Sequence, residues 1–195
     1  MSKIAVIVLA AGESSRMQQV KQLLPYKNTT LLEHVLLTAI NTDSSRVICV
    51  LGAHHEEILK RKIIPNQVQI KINRVWSSGI GSSIVCGIQQ VLEITENIDA
   101  VVITLADQPF VTSQFLNEII DLGRINADRI IATAYSKTIG VPALFPKKYF
   151  EDLLLLNGKE GAKALLKSLQ NQVITIKPGF RNLDIDTPEN YQALQ

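Results

Sequence analysis

Three short stretches of this chain are almost wholly aliphatic: IAVIVLA (Ile4–Ala10), RVICVLG (Arg46–Gly52) and DAVVITLAD (Asp99–Asp107). A strand with one wet face alternates apolar and polar residues. A run without that alternation has to be covered on both faces, which is the condition of an inner strand in a parallel sheet. Segments of helical period lie between these runs. In TTLLEHVLLTAI, Leu31, Leu32, Val35, Leu36, Ala39 and Ile40 recur at three- and four-residue spacing, with Thr29 or Thr30 placed to cap the helix. HHEEILKRKI reads as a short polar helix, SSIVCGIQQVLEI (Ser82–Ile94) as a helix capped by Ser82 or Ser83, and TSQFLNEIIDLG as a capped helix ending near Gly123. VQIKINR (Val68–Arg74) alternates and suits a strand nearer the sheet edge.

The C-terminal part continues the pattern. RIIATAY and VPALF predict two strands, and PKKYFEDLLLL, with Pro146 in its first turn, and EGAKALLKSLQ predict two helices. QVITIK predicts a late strand, and TPENYQAL a last helix capped by Thr187 with Pro188 in its first turn. Strands alternating with helices imply right-handed crossovers and a three-layer α/β/α architecture around a mostly parallel, Rossmann-like sheet. The 195 residues suit one domain, 1–195, with no linker or repeat. In such sheets ligands bind outside the carboxyl ends of the strands, so the loops after Leu9, Arg74 and Leu105 are expected to line one cleft.

Composition narrows the function classes. With 46% hydrophobic and 19% charged residues the chain is ordinary for a folded α/β protein. A net charge of +2, without a Lys/Arg block, does not provide a surface for coating nucleic acid. No apolar run reaches membrane-spanning length, and Ile4–Ala11 does not read as a signal peptide, so the expected location is cytoplasmic, away from membranes. Cys49 and Cys86 have no Cys or His at metal-ligand spacing and read as small buried apolar residues.

The loop after the first strand, Ala10-Ala11-Gly12-Glu13-Ser14-Ser15-Arg16 with Lys21 beyond, carries the unusual chemistry. It lacks the three glycines of a dinucleotide fingerprint and the Gly-Lys-Ser/Thr ending of a Walker loop. Its small residues let backbone N–H groups approach an anion closely, Arg16 presents a planar fork of donors, and Lys21 presents a mobile point charge. Asp107 ends the most buried of the later strands at the expected cleft, in LADQPFV, a position suited to Mg²⁺. In NLDIDTPENY, Asp184 and Asp186 alternate and share a face of an extended segment. Gly79 and Gly81 in NRVWSSGIGSS permit close approach to the start of the next helix.

Taken together, these motifs resemble the MobA/MocA-like nucleotidyltransferases, the molybdenum cofactor cytidylyltransferase-like family. The signature L-A-A-G-x-S-x-R-M-G-x-x-K is met at Leu9, Ala10, Ala11, Gly12, Ser14, Arg16, Met17 and Lys21, with Gln18 in place of the glycine. W-x-x-G-x-x-x-S is met at Trp76, Gly79 and Ser83, D-x-P at Asp107 and Pro109, and D-x-D-T-P-E at Asp184 to Glu189. On the acceptor side Gly140, Pro142, Leu144, Phe145, Gly158, Gly161 and Ala162 match, whereas Val141, Lys159 and Lys163 stand where the family has histidine, aspartate and arginine.

The resemblance implies a fold of the nucleotide-diphospho-sugar transferase type. It implies Mg²⁺-dependent transfer of a nucleoside monophosphate, CMP from CTP, to a phosphate acceptor, molybdopterin, with release of pyrophosphate. The guanylyl branch and the sugar- or alcohol-phosphate cytidylyltransferases are the alternatives. A non-catalytic nucleotide-binding accessory protein of a molybdenum hydroxylase, with a molybdoenzyme as partner, is an alternative of another class. The resemblance assigns Arg16 and Lys21 as catalytic, Leu9, Ala10, Ala11, Gly12, Ser14, Arg16, Lys21, Gly79, Ser83 and Asp107 as nucleotide-binding, and Asp107 with Asp186, ahead of Asp184, as metal ligands. Two carboxylates about 5 Å apart repel by roughly 3 kcal/mol at an effective dielectric of about 20, a cost that a bound cation removes. A phosphate nucleophile is already ionised at neutral pH, so His34, His54 and His55 receive no catalytic role.

Overall fold

The computed structural model describes residues 2–17, 19–136, 138–158, 160–179 and 184–194. Strand β1 (Ile4–Ala10) is buried at every position. Its side chains divide between two cores: Val6, Val8 and Ala10 face one, Ala5, Ile7 and Leu9 the other. That division is why the run has no polar residue. Each buried Val, Ile or Leu of the strand stabilises the fold by roughly 1.5–3 kcal/mol, and a polar replacement on either face would forfeit it.

The loop after β1 holds two short 3₁₀ turns, Ser15–Met17 and Lys21–Leu23. It is followed by a small ribbon, β2 (Pro25–Tyr26) and β3 (Thr29–Thr30), and by helix α1 (Leu31–Ile40). Thr30 is the cap, its hydroxyl accepting from the Glu33 N–H. Next come β4 (Arg46–Leu51), α2 (His55–Lys60) and β5 (Val68–Ile72). Helix α3 (Ile80–Glu93), β6 (Ala100–Leu105) and α4 (Ser113–Ile125), capped by Thr112, complete the first half. The second half contains β7 (Ile130–Ala134), β8 (Ile139–Pro146), α5 (Phe150–Leu154), α6 (Ala162–Ser168), β9 (Val173–Ile176) and α7 (Pro188–Gln192), whose cap is Thr187.

The seven main strands run in the order β5-β4-β1-β6-β8-β7-β9. Pairs β4–β5, β1–β4, β1–β6 and β7–β9 are parallel, while β8 is antiparallel to both neighbours. The sheet is therefore mostly parallel, as expected, with β5 at the edge. The exception has a local cause: Tyr135–Thr138 is too short for a crossover, so β8 turns back on β7. Helices α1 and α4 cover one face, supplying Leu32, Val35 and Leu36, and Phe115, Leu116, Ile119 and Ile120. Helices α3, α5 and α6 cover the other, with Ile84, Ile88, Phe150, Leu153 and Leu166. Cys49 and Cys86 are buried and free.

Two expectations need correction. Helix α3 is capped by Gly79, at φ 114° and ψ 176°, a conformation open to glycine, so Ser82 and Ser83 lie inside its first turn. The Ser82 hydroxyl instead donates back to the Gly79 carbonyl at 2.8 Å. Pro146 closes β8, opposite Ala100, and does not open a helix; a 3₁₀ turn, Lys147–Tyr149, separates it from α5. Proline has no N–H for the next rung of a ladder, so a strand can stop there. Among the described residues no helix is long and apolar enough to cross a membrane.

β1 leads outward through β4 and β5, and the chain then returns to β6 on the other side of β1. The order reverses between β1 and β6, and a crevice opens there outside the carboxyl ends. A third small core, Met17, Leu24, Tyr26, Leu31 and the fully buried Ile185, seals the loop after β1 against the C-terminal segment. The Ile185 N–H donates to the Asp107 carbonyl at 2.9 Å, and the Tyr191 hydroxyl donates to the Pro25 carbonyl at 2.6 Å. These contacts bring chain ends into one site.

Candidate active site

A cavity of about 300 Å³ lies at the switch point. Leu9 and Ala10 line it from the end of β1, Ala11, Gly12 and Lys21 from the loop that follows, Asp107 from the loop after β6, and Gly79 and Ser83 from the start of α3. The three expected loops do converge. A Cβ placed on Gly12 would meet nothing within 4 Å, so the bare Cα leaves room where a ligand would approach. Trp76, Glu13 and Gln22 also line the cavity. Ser14 and Arg16 do not.

Lys21 is the hub. Its Nζ donates to Asp107 Oδ2 at 2.5 Å and to Asp186 Oδ1 at 3.3 Å, joining residues 86 and 165 positions apart in the chain. Arg16 donates to the second oxygen, Asp186 Oδ2, at 3.0 Å. Burial alone would push the Lys21 ammonium down, but the carboxylates of Asp107 and Asp186 outweigh it and hold the pKa above its ordinary value. Lys21 is therefore a cation throughout the physiological range. Its neutralising charge sits between the two carboxylates whose repulsion the sequence suggested.

Asp184 and Asp186 flank the buried Ile185 and go to different partners. Asp186 joins the cation cluster. Asp184 accepts from Gln108 Nε2 at 2.9 Å, and burial raises its carboxyl pKa. Asp184 faces a second cavity of about 400 Å³, which shares Leu9, Ile80 and Leu105 with the first and is also lined by Tyr135, Val141, Gly161, Ala162 and Lys163. Burial, followed by the charge of Asp184, pushes the Tyr135 phenol up to about 12. The acceptor-side motifs thus wall a cavity beside the first one. Gln18, Lys159 and Asn182 lie outside the described residues.

Two residues escaped the sequence reading. Gln22 is 2% exposed, and its Nε2 donates to the Ala10 carbonyl at 3.0 Å and the Gly12 carbonyl at 3.1 Å. Its Oε1 accepts from the Ser14 hydroxyl at 3.3 Å, and that hydroxyl accepts from the Lys21 N–H at 3.2 Å. Ser14, at φ 59°, therefore shapes the loop with Gln22 and has its side chain committed inside it. Gly52 is the other: a Cβ there would stand 2.5 Å from the Ala11 carbonyl oxygen and 2.8 Å from the Trp76 Cβ. A glutamine directly after a site lysine, and a glycine ending an inner strand, were the available signals.

The residues fit a divalent cation in one respect that the structure displays: Asp107 Oδ1 is buried and has no partner among the described residues. No cluster of three or more His, Cys, Asp or Glu side chains among them is arranged to hold a metal. Two carboxylates are the number Mg²⁺ takes when substrate phosphates and waters complete its shell.

The fold is of the Rossmann-like, nucleotide-diphospho-sugar transferase type, a mostly parallel sheet between two layers of helices, and it is shared with similar solved structures. Residues 6–173 match the MobA-like NTP transferase domain, and the chain belongs to that family. It is 28% identical to the purine catabolism protein PucB of Bacillus subtilis (strain 168), over 97% of this chain and 94% of that one. It is 27% identical to the molybdenum cofactor cytidylyltransferase of Escherichia coli (strain K12), over 98% and 95% of the two chains. The structure of Rv0371c from Mycobacterium tuberculosis H37Rv superposes with a TM-score of 0.83 at 29% identity, covering 99% of this chain and 97% of that one. Rv0371c has also been solved in complex with manganese.

Proposed function

We propose that the protein is a divalent-metal-dependent nucleotidyltransferase that moves CMP from CTP onto a phosphate acceptor, molybdopterin. The carrying observation is the Lys21 bridge between Asp107 and Asp186, set under a glycine-bearing loop where two cavities meet. The first cavity takes the nucleotide and the second the acceptor. An acceptor phosphate oxygen attacks the α-phosphorus in line, a new P–O bond forms, the bond to the β-phosphate breaks, and pyrophosphate leaves with the electron pair. The nucleophile is already ionised, so no base is needed.

Lys21 stabilises the charge that grows on the α-phosphate, and Arg16 holds the departing phosphates. Both now pair with carboxylates, and a triphosphate offers them stronger anions. The N–H groups near Gly12 bind phosphate oxygens, while Gln22 keeps the Ala10 and Gly12 carbonyls turned inward. Positioning and electrostatics supply the acceleration, as in other phosphoryl chemistry. Asp107 and Asp186 would hold Mg²⁺ or Mn²⁺, which when bound neutralises phosphate charge as a Lewis acid.

The test is pyrophosphate release from CTP, GTP, UTP and ATP with molybdopterin and Mg²⁺ or Mn²⁺. Metal-dependent release with CTP is expected. Nucleotide binding without release from any of the four would refute the enzyme reading. It would favour an accessory role beside a molybdenum hydroxylase, a reading that Val141 and Lys163 on the acceptor side leave open and that intact Arg16, Lys21, Asp107 and Asp186 argue against.

A further inference from the structure

The loop after β1 has its successive carbonyl oxygens occupied. Gln22 Nε2 takes those of Ala10 and Gly12. The loop after β4 takes the other two: the Ala53 N–H donates to the Ala11 carbonyl at 3.2 Å, and His54 Nε2 lies 2.7 Å from the Glu13 carbonyl. A carbonyl oxygen only accepts, so His54 carries a proton on Nε2 and donates it. An anion approaching Ala10 to Glu13 therefore meets no carbonyl that is free to repel it. Three of these bonds come from the buried Gln22 and from main chain. The fourth comes from a half-buried side chain that does not line the cavity.

That fourth bond falls where the loop is strained. Ser14, the next residue, has φ 59°, a left-handed value that costs a residue with a Cβ free energy. Half a turn of the Glu13–Ser14 peptide would bring this φ to about −120°, an ordinary extended value. The same rotation would exchange the ends of the peptide, since C=O and N–H point opposite ways in a trans unit. The Ser14 N–H has no acceptor among the described residues, and the rotation would put a carbonyl oxygen in its place. The Ser14 hydroxyl and carbonyl bond Gln22, Lys21 and Met17, but those atoms lie beyond the rotating unit and do not hold it.

We infer that His54 is a positioning residue of the triphosphate site: by holding the Glu13 carbonyl it keeps the Ser14 N–H turned out as a donor for a phosphate oxygen. The inference rests on the nucleotide reading above. Glu13 lines the rim of the first cavity, and Ser14 stands in the chain between it and Arg16, which holds the departing phosphates in that reading. The contact that His54 protects therefore belongs to the β- and γ-phosphates, and an anion-binding turn works only while its N–H groups face the anion.

The test is equilibrium binding of CTP and CMP to the wild type, His54→Phe and His54→Gln. Phenylalanine keeps a ring and loses the donor, while glutamine offers an amide N–H at about the reach of the imidazole Nε2. His54→Phe should weaken CTP by about three- to tenfold, the worth of one hydrogen bond, and leave CMP within about twofold. Its Tm should change little, because the Glu13 carbonyl, on an exposed residue, can turn to water. His54→Gln should restore CTP affinity to within about twofold of the wild type. An unchanged ratio of CTP to CMP affinity in His54→Phe overturns the inference with the nucleotide reading intact. So does equal weakening of both nucleotides, which is what a general structural role of His54 would produce, or a His54→Gln variant as weak as His54→Phe. Failure of the wild type to bind either nucleotide overturns both readings. Should His54→Phe fail to fold, His54→Ala carries the same expectation.

Discussion

Replacing Lys21 by methionine removes a charge and keeps the shape of the side chain. Lys21 Nζ lies 2.5 Å from Asp107 Oδ2 and 3.3 Å from Asp186 Oδ1. The two oxygens are therefore within about 5.8 Å of each other, and once the ammonium is gone their repulsion is roughly 3 kcal/mol or more at an effective dielectric of about 20. Solvent at Asp186, whose side chain is 38% exposed, reduces this to about 1–2 kcal/mol. Asp107, 17% exposed, also loses its partner, and because the pair is only partly buried this adds a fraction of the cost of breaking a fully buried pair, about 3–5 kcal/mol. Lys21→Met should thus melt well below the wild type, and Mn²⁺ or Mg²⁺ should raise its Tm more than that of the wild type, because the carboxylates lack a counter-charge. With the protein saturated in metal and folded, kcat for pyrophosphate release should fall by about 10²–10³, the loss typical of one preorganised electrostatic contact. KM for CTP should move far less, since Arg16 and the loop N–H groups still bind the triphosphate. Turnover within a few-fold of the wild type would refute the assigned role of Lys21. A metal response no larger than that of the wild type would refute the electrostatic account of the carboxylate pair.

Gln22→Leu takes the side-chain donor from the buried Ala10 carbonyl, at about 1–3 kcal/mol for a buried group left unpaired, while the Gly12 carbonyl, on an exposed residue, turns to water; the expected result is a lower Tm and a raised KM for CTP, and unchanged thermal melting would refute the anchoring role. His34 packs edge-on to Tyr26 and has Nε2 3.2 Å from the Pro109 carbonyl. Burial, then the charge of Lys27, lowers its pKa from 6.5. The neutral ring is therefore favoured in the fold: its benefit is full above 6.5 and is lost as pH falls through the lowered folded value. In His34→Gln that pH-dependent part disappears, so the Tm difference between wild type and variant should shift against the wild type between about pH 7.5 and 5.5; parallel curves would contradict it.

Much of the fold was legible because it is written in local periods. Ile4–Ala10 needed two covers, and its alternate residues do enter two cores. The period of α1 and the caps Thr30, Thr112 and Thr187 are properties of neighbouring residues, and each is where the pattern put it. Where two local signals competed, the sequence misled: a serine pair looked like the cap of α3, but Gly79 one turn earlier reaches a backbone conformation closed to serine. Pro146 likewise reads equally well as a helix opener or a strand stop, and the pairing of β8 with β6 decides it.

By itself the sequence determined the chemistry available to the site: which loop carries the cations, which strand ends in a carboxylate, and which tail brings two more. Those follow from residue identity and short spacing. Only the tertiary structure decided who meets whom. Asp184 and Asp186 look equivalent two positions apart, yet the burial of Ile185 sends one to Gln108 and the other to Lys21 and Arg16. Gln22 carries no signal of its own in the sequence and gains a role only when the loop closes over it. Contacts spanning 86 or 165 residues depend on strand order and on the small core at Ile185, and no local period encodes them.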